Sequence, residues 1–176
     1  MTKTKDGGRK GPSRDDWETP MVLFSKLDEE FHFTVDAAAT AATAKCTRFW
    51  SPGVDRLKQK WDGEVVWCNP PYGDQLPRWM RKAFMSCKQG ATVVMLVPPR
   101  TDTAWWHYYA MSASEIRFIV GRVSFLLDGQ PWDGNRHPSC LVIFRPGRLS
   151  LEYPPVMLSY SPTCKWPALP GLEAAP

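Results

Sequence analysis

The chain has 176 residues, 43% of them hydrophobic and 23% charged, with a formal net charge of +4. That length and composition fit one globular domain with a real core, and the mild basic excess is compatible with a polyanion partner. The longest apolar run, residues 91–99, is far too short to span a bilayer, and the five scattered cysteines form no Cys-x-x-Cys pair, which argues against a disulfide frame or a zinc site.

Residues 1–15 are basic and polar, with Lys3, Lys5, Arg9, Lys10 and Arg14, and are expected to form a flexible arm. No apolar core follows them, so no secretory signal is expected. A helix is predicted next, with Thr19 as N-cap, Pro20 as first helical residue and an apolar stripe of Val22, Leu23, Leu27 and Phe31. Free N–H groups at such a helix start attract a carboxylate. A short strand at 33–35 leads into Asp36-Ala37-Ala38, an acid followed by small side chains that would let a ligand approach the backbone. There is no Gly-x-Gly here, and the same residues could simply begin a helix. Residues 47–50 read as a second strand, followed by a turn and then Asp55, at about the separation from Asp36 of a ribose-binding acid.

The central stretch is Val65-Val66-Trp67-Cys68-Asn69-Pro70-Pro71-Tyr72. Its first four residues are apolar without alternation, which predicts a fully buried strand. Two prolines then end the ladder, because neither has an N–H to donate. Asn69 and Tyr72 are thereby placed at the carboxyl end of a central strand, where open α/β sheets bind ligands. The Asn69 side-chain oxygen and a carbonyl of the Pro-Pro segment can accept both hydrogens of an –NH2 group, and the Tyr72 ring can stack on the base that carries it. Asn-Pro-Pro-aromatic arises by chance in roughly one chain of this length per thousand, which weighs against a merely stiffened turn.

Downstream, residues 76–84 form an amphipathic helix and 91–97 the clearest strand, closed by a loop carrying Arg100. An Arg fixed after a buried strand often meets an anion. A helix with Trp105, Trp106 and His107 precedes a strand at 115–120, and Arg122 follows it. Residues 124–139 read as a polar loop with Phe125, Trp132 and Arg136, and 139–144 as the last strand. Two strands joined without a helix predict an antiparallel pair at the sheet edge. From residue 153 proline recurs every few residues, and order is expected to fade over 153–176.

The ordered set Trp17-x-Thr19-Pro20, Val35-Asp36-Ala37-Ala38, Asp55-x-Leu57, Trp61, Asn69-Pro70-Pro71-Tyr72, Arg100 to His107 and Gly121-Arg122-x-x-x-Phe125 resembles the phage-type DNA N6-adenine methyltransferases, the Dam-like family of phages and prophages. The resemblance covers residues 16–146. It implies an α/β fold with a Rossmann-like, mostly parallel sheet, a single catalytic domain over 16–152, and S-adenosylmethionine as methyl donor. It further implies that Asn69, Pro70, Pro71 and Tyr72 hold a flipped adenine, that Trp17, Thr19, Pro20, Asp36, Ala37 and Ala38 lie along the cofactor, and that Asp55 sits near the cofactor adenosine or near the target amino group. The partner is DNA, with Arg100, Arg122 and Arg136 as candidate contacts, alongside the basic arm and residues 78–82. The implied setting is the cytoplasm of a bacterial host, with no membrane and no metal. Two other readings keep part of the pattern: an amino methyltransferase acting on RNA or protein glutamine, and a catalytically inactive DNA-binding relic.

Overall fold

Val93 to Val97 and Cys140 to Phe144 are buried without a break, and runs buried on both faces belong inside a sheet covered on both sides. That is their position in the computed structural model, which describes residues 17–132, 135, 137–149 and 154–162. Strands β1 (Val35–Asp36), β2 (Val65–Cys68), β3 (Thr92–Val97), β4 (Glu115–Ile119), β5 (Leu126–Leu127), β6 (Gln130–Pro131), β7 (Cys140–Phe144) and β8 (Val156–Tyr160) follow in chain order. Helices α1 (Met21–Phe31), α2 (Leu76–Cys87) and α3 (Ala104–Tyr108) join them. Six strands make one sheet in the order β1-β2-β3-β7-β4-β8, and β5 and β6 form a separate hairpin. Within the sheet β7 alone runs against its neighbours β3 and β4; β1, β2 and β3 are parallel, as are β4 and β8. The fold is mixed α/β with a mostly parallel sheet.

Alternation along the strands divides the core in two. Val66, Cys68, Val93, Met95 and Val97 face α2 and α3, whereas Trp67, Val94 and Leu96 face α1. Helix α1 buries Leu23, Phe24, Leu27 and Phe31, each contributing about 1.5–3 kcal/mol. Phe24 takes the place expected for Val22, which is exposed. The helix also starts one residue late: Pro20 is the N-cap, in an extended conformation, and its carbonyl accepts from Leu23 and Phe24 N–H, both at 3.1 Å. Thr19 makes no cap bond. At the other end His32 turns left-handed with φ of 54° and Phe33 N–H is taken by Asp28 Oδ1 at 2.8 Å, so the chain reverses into β1.

Three further expectations are corrected. Residues 47–50 give one parallel bridge, Asp36 to Phe49, and not a strand, because β1 turns away after two residues and offers no longer edge. The sheet does not end before residue 153, since β8 pairs with β4 from Glu115–Val156 to Ile119–Tyr160. Pro155 and Pro162 frame that strand from outside, so the prolines delimit it rather than break it. The 124–139 segment is not all loop: β5 and β6 meet at Asp128-Gly129, both with positive φ (50° and 73°), the pair a tight I′-type hairpin requires. The expected antiparallel pair of β4 and β7 does form, with β8 along its outer side. The basic arm, residues 1–15, lies outside the described residues.

One ionic cluster ties α1 to the far strands. Arg117 on β4 reaches both oxygens of Glu30 at 2.6 and 2.7 Å and Glu115 at 2.5 Å, while Arg145 adds a bond to Glu30 at 3.0 Å and stacks 4.6 Å above Phe31. The hydrogen bond from Arg117 holds the Glu30 carboxyl below its ordinary value of 4.5 against the opposing effect of burial. A depressed carboxylate stabilises the fold above its unfolded value, and that contribution is lost as pH falls through the folded one. In urea titrations Glu30→Gln is expected to cost about 1 kcal/mol at neutral pH, discounted for partial exposure, and to match the parent at strongly acid pH. An equal deficit at both pH values would remove the ion pair as its cause.

Candidate active site

Because β1, β2, β3 and β4 are parallel, their carboxyl ends share one edge of the sheet. Asp36 to Ala38, Asn69 to Tyr72, Arg100 and Arg122 leave the sheet there. Residues 17–20 cross the same edge as a strap in front of α1, and the β5–β6 hairpin is attached to it. Glu18 N–H donates to Leu126 O and Leu126 N–H to Glu18 O, both at 2.9 Å.

The strap fixes Asn69. Asn69 Nδ2 donates to the Trp17 carbonyl at 3.1 Å. A carbonyl only accepts, so the amide nitrogen must face it, and the Oδ1 acceptor is left for another group. The Trp17 ring lies edge-on to Tyr72 at 5.9 Å, stacks on Phe125 at 5.5 Å and meets Trp132 at 4.6 Å. Tyr72 is buried, with its hydroxyl donating to Leu96 O at 3.2 Å. Burial raises its pKa well above the ordinary tyrosine value, so it remains a donor. Burial likewise holds the Cys68 thiol well above its usual value, and no thiolate adjoins Asn69. Thr19, 2% exposed, carries a hydroxyl with no partner among the described residues, and the Trp17 indole N–H is also buried and unpaired among them.

The loop after β1 is shaped by side chains in place of glycines. Asp36, 3% exposed, accepts from Ala38 N–H at 3.2 Å and from Lys45 N–H at 3.1 Å. Thr40 and Thr43 bond each other inside the loop, and Ala37 N–H is paired to Trp67 O at 2.9 Å. Lys45 Nζ then reaches Glu18 Oε2 at 3.3 Å, with side chains only 7% and 12% exposed. Burial raises the Asp36 carboxyl from 3.8 to about 6, opposed by the backbone bonds from Lys45 and Ala38.

Asp55 differs from Asp36 in its surroundings. It is exposed, pairs with Lys58 at 3.3 Å, and lines a cleft of about 270 Å³ with Val54, Leu57, Pro71, Gln75 and Trp79. Arg56 stacks 5.2 Å above the Trp79 ring in the same cleft. A neighbouring groove of about 370 Å³ is lined by Lys58, Arg78, Arg81 and Lys82. Arg100 and Arg122 are exposed; Arg136 lies outside the described residues. Sequence reasoning missed Glu18, Lys45, Arg56 and the contacts of Phe125 and Trp132. Only the hairpin that carries the last two had a local signal, Asp128-Gly129.

Comparison with known proteins gives a consistent result. The family model described as DNA N-6-adenine-methyltransferase (Dam) matches residues 7–162. A DNA N-6-adenine-methyltransferase of Haemophilus phage HP1 (strain HP1c1) is 32% identical over 151 residues, covering 83% of this chain and 86% of that protein. A DNA N-6-adenine-methyltransferase of Escherichia phage T1 is 29% identical over 151 residues, covering 75% of this chain and 63% of the phage protein.

The Asp36 geometry has a measurable signature. Its carboxyl titrates higher in the folded chain than in the unfolded one, so the folded state binds more protons between about pH 4 and 6 and stability falls as pH rises through that window. The gap from 3.8 to about 6 corresponds to roughly 3 kcal/mol at most. Unfolding free energies of the parent and of Asp36→Asn should therefore diverge across this window, the parent alone losing stability with rising pH. A constant difference would mean that the carboxylate is charged at its ordinary pKa.

Proposed function

This chain belongs to the DNA N-6-adenine-methyltransferase (Dam) family and methylates adenine in DNA at N6, and we propose that it transfers the methyl group directly from S-adenosylmethionine to a flipped adenine held at Asn69–Tyr72. The observation that carries the site is the bond from Asn69 Nδ2 to the Trp17 carbonyl, which leaves Asn69 Oδ1 as an oriented acceptor on a rigid turn. That oxygen and a carbonyl of Pro70 or Pro71 take the two hydrogens of the adenine amino group, aim its lone pair and offset the positive charge that grows on N6. No base is needed before attack. The proton acidifies as the carbon–nitrogen bond forms and the carbon–sulfur bond breaks, then leaves to water. The half-buried rings of Trp17 and Trp132 can face the base, backed by the buried rings of Tyr72 and Phe125.

The residues present suit the donor. When bound, S-adenosylmethionine supplies an electrophilic methyl carbon on a sulfonium. Thr19 and Trp17 offer buried donors without partners among the described residues, and the first N–H groups of α1, after Pro20, suit a carboxylate. The small, half-buried Ala38 leaves room for a ligand at the end of β1, while buried Ala37 and Asp36 hold the loop from behind. Asp55 suits ribose hydroxyls, and Leu57, Pro71 and Trp79 suit a purine in the cleft they line. Parallel β1, β2 and β3 with binding loops at their carboxyl ends support a Rossmann-like methyltransferase architecture. The work takes place where the DNA is, in the cytoplasm of a bacterial host. No helix among the described residues is long and apolar enough to cross a membrane.

Two experiments test this reading. With isotopically labelled S-adenosylmethionine and DNA, label is expected in N6-methyladenine after digestion to nucleosides. Asn69→Ala should lower the rate by about 10²–10³ with cofactor affinity retained; a fully active variant would take Asn69 out of the mechanism. Arg100→Glu and Arg122→Glu should each weaken DNA binding and reduce the slope of log affinity against log salt by about 1. Unchanged slopes would exclude both residues from the phosphate contacts.

A further inference from the structure

The ion pair between Glu18 and Lys45 is the least expected feature near the site. Its side chains are 12% and 7% exposed. Burying two charges costs desolvation energy that their mutual attraction barely returns, so such a pair is a poor way to add stability. Its value lies in geometry, and both carboxylate oxygens of Glu18 are engaged. Glu18 Oε2 accepts from Lys45 Nζ at 3.3 Å and Glu18 Oε1 from Gly129 N–H at 3.3 Å. The Glu18 backbone is fixed to Leu126 by two bonds of 2.9 Å. Lys45 is held in turn, its N–H donating to Asp36 Oδ2 at 3.1 Å.

Glu18 is the residue next to Trp17, whose carbonyl sets the Asn69 amide. A continuous path therefore runs from the Asp36 carboxylate to Lys45, Glu18, the Trp17 carbonyl and Asn69 Nδ2. We propose that the part-buried Glu18–Lys45 ion pair is a positioning device that couples the loop after β1 to the orientation of the Asn69 amide through the Trp17 carbonyl. The proposal rests on the reading of Asn69 as the amino-group acceptor. A loop built on glycines presents backbone and little else, whereas this loop ends in a cation that grips the strap. Loss of either charge frees the strap to slide by a fraction of an ångström, and the amide loses its fixed acceptor. Displacements of about 1 Å at a distance from the chemistry can cost about a hundredfold in rate.

The test uses the full chain, 15N-labelled, without DNA or methyl donor. The Asn69 side-chain amide signal is identified by its loss in Asn69→Ala. In Glu18→Gln and in Lys45→Met that signal is expected to shift and to exchange faster with water, with no further change in the double variant. Single-turnover methyl transfer should fall about tenfold to a hundredfold, while the dissociation constants for DNA and S-adenosylmethionine change by less than about twofold. Lys45→Arg, which keeps the charge, should retain both the parent signal and the parent rate. If Glu18→Gln fails to fold, the comparison of Lys45→Met with Lys45→Arg decides alone. An Asn69 amide signal that stays at its parent position in folded variants overturns the coupling, as does a rate loss that Lys45→Arg shares. The two readings separate cleanly: an active Asn69→Ala variant overturns the role of Asn69 in catalysis, and an unmoved amide signal overturns the coupling.

Discussion

Proline has no backbone N–H, and two prolines in succession are the constraint on which this structure turns. After Cys68 the central strand cannot continue its ladder, whatever its neighbours offer. The chain must leave the sheet at Asn69, with its side chain anchored to the strap by Trp17 and its next turn closed by Tyr72 against β3. Pro71 is already in the wall of the cleft that Asp55 lines. The missing donors thus place an amide acceptor, an aromatic ring and a pocket wall within four consecutive residues. The neighbouring parallel strands bring three more loops to the same edge.

Two ion-pair systems show how the same chemistry serves different ends. Around Arg117 a fork of hydrogen bonds links α1 to β4 and β7, and the guanidinium planes also lie over Phe31 and Tyr160. That cluster ties the sheet to the helix across one face, remote from the loops at the carboxyl ends. Glu18 and Lys45 join two loops and no regular element apart from the small hairpin. The first system sets how layers pack; the second sets how loops register with one another.

Local chemistry was legible in the sequence, and closure between distant segments was not. Val65 to Tyr72 could be read because strand propensity and the lack of a proline N–H act within a few residues. The strand expected at 33–35 lies at Val35–Asp36, so the acid belongs to the strand and does not follow it. The partners of its carboxylate were not legible, since Lys45 arrives only after the loop has closed. Glu18 and Lys45 stand 27 positions apart, and nothing in either residue type points to the other. Thr19 was read as a cap from its chemistry, but the extended conformation of Pro20 moved the helix start by one residue and left the hydroxyl inside the site. Strand β8 escaped because its solvent-facing pattern lacks alternation and prolines crowd around it. The Asp128-Gly129 turn carried a readable signal that the surrounding polar residues obscured.

The reversed strand β7 acts as a spacer. It enters the sheet between β3 and β4, so the two carboxyl ends that bear Arg100 and Arg122 are separated by two strand spacings, about 10 Å. Both arginines leave the sheet in the same direction because their strands are parallel. Each is exposed and stands three residues past the end of its strand. The hairpin flanked by Phe125 and Trp132 follows Arg122 in the chain, and the Pro-Pro turn leaves β2, on the side of β3 away from β7. Strand order alone therefore keeps the exits of β2 and β3 adjacent while setting the exits of β3 and β4 one strand further apart.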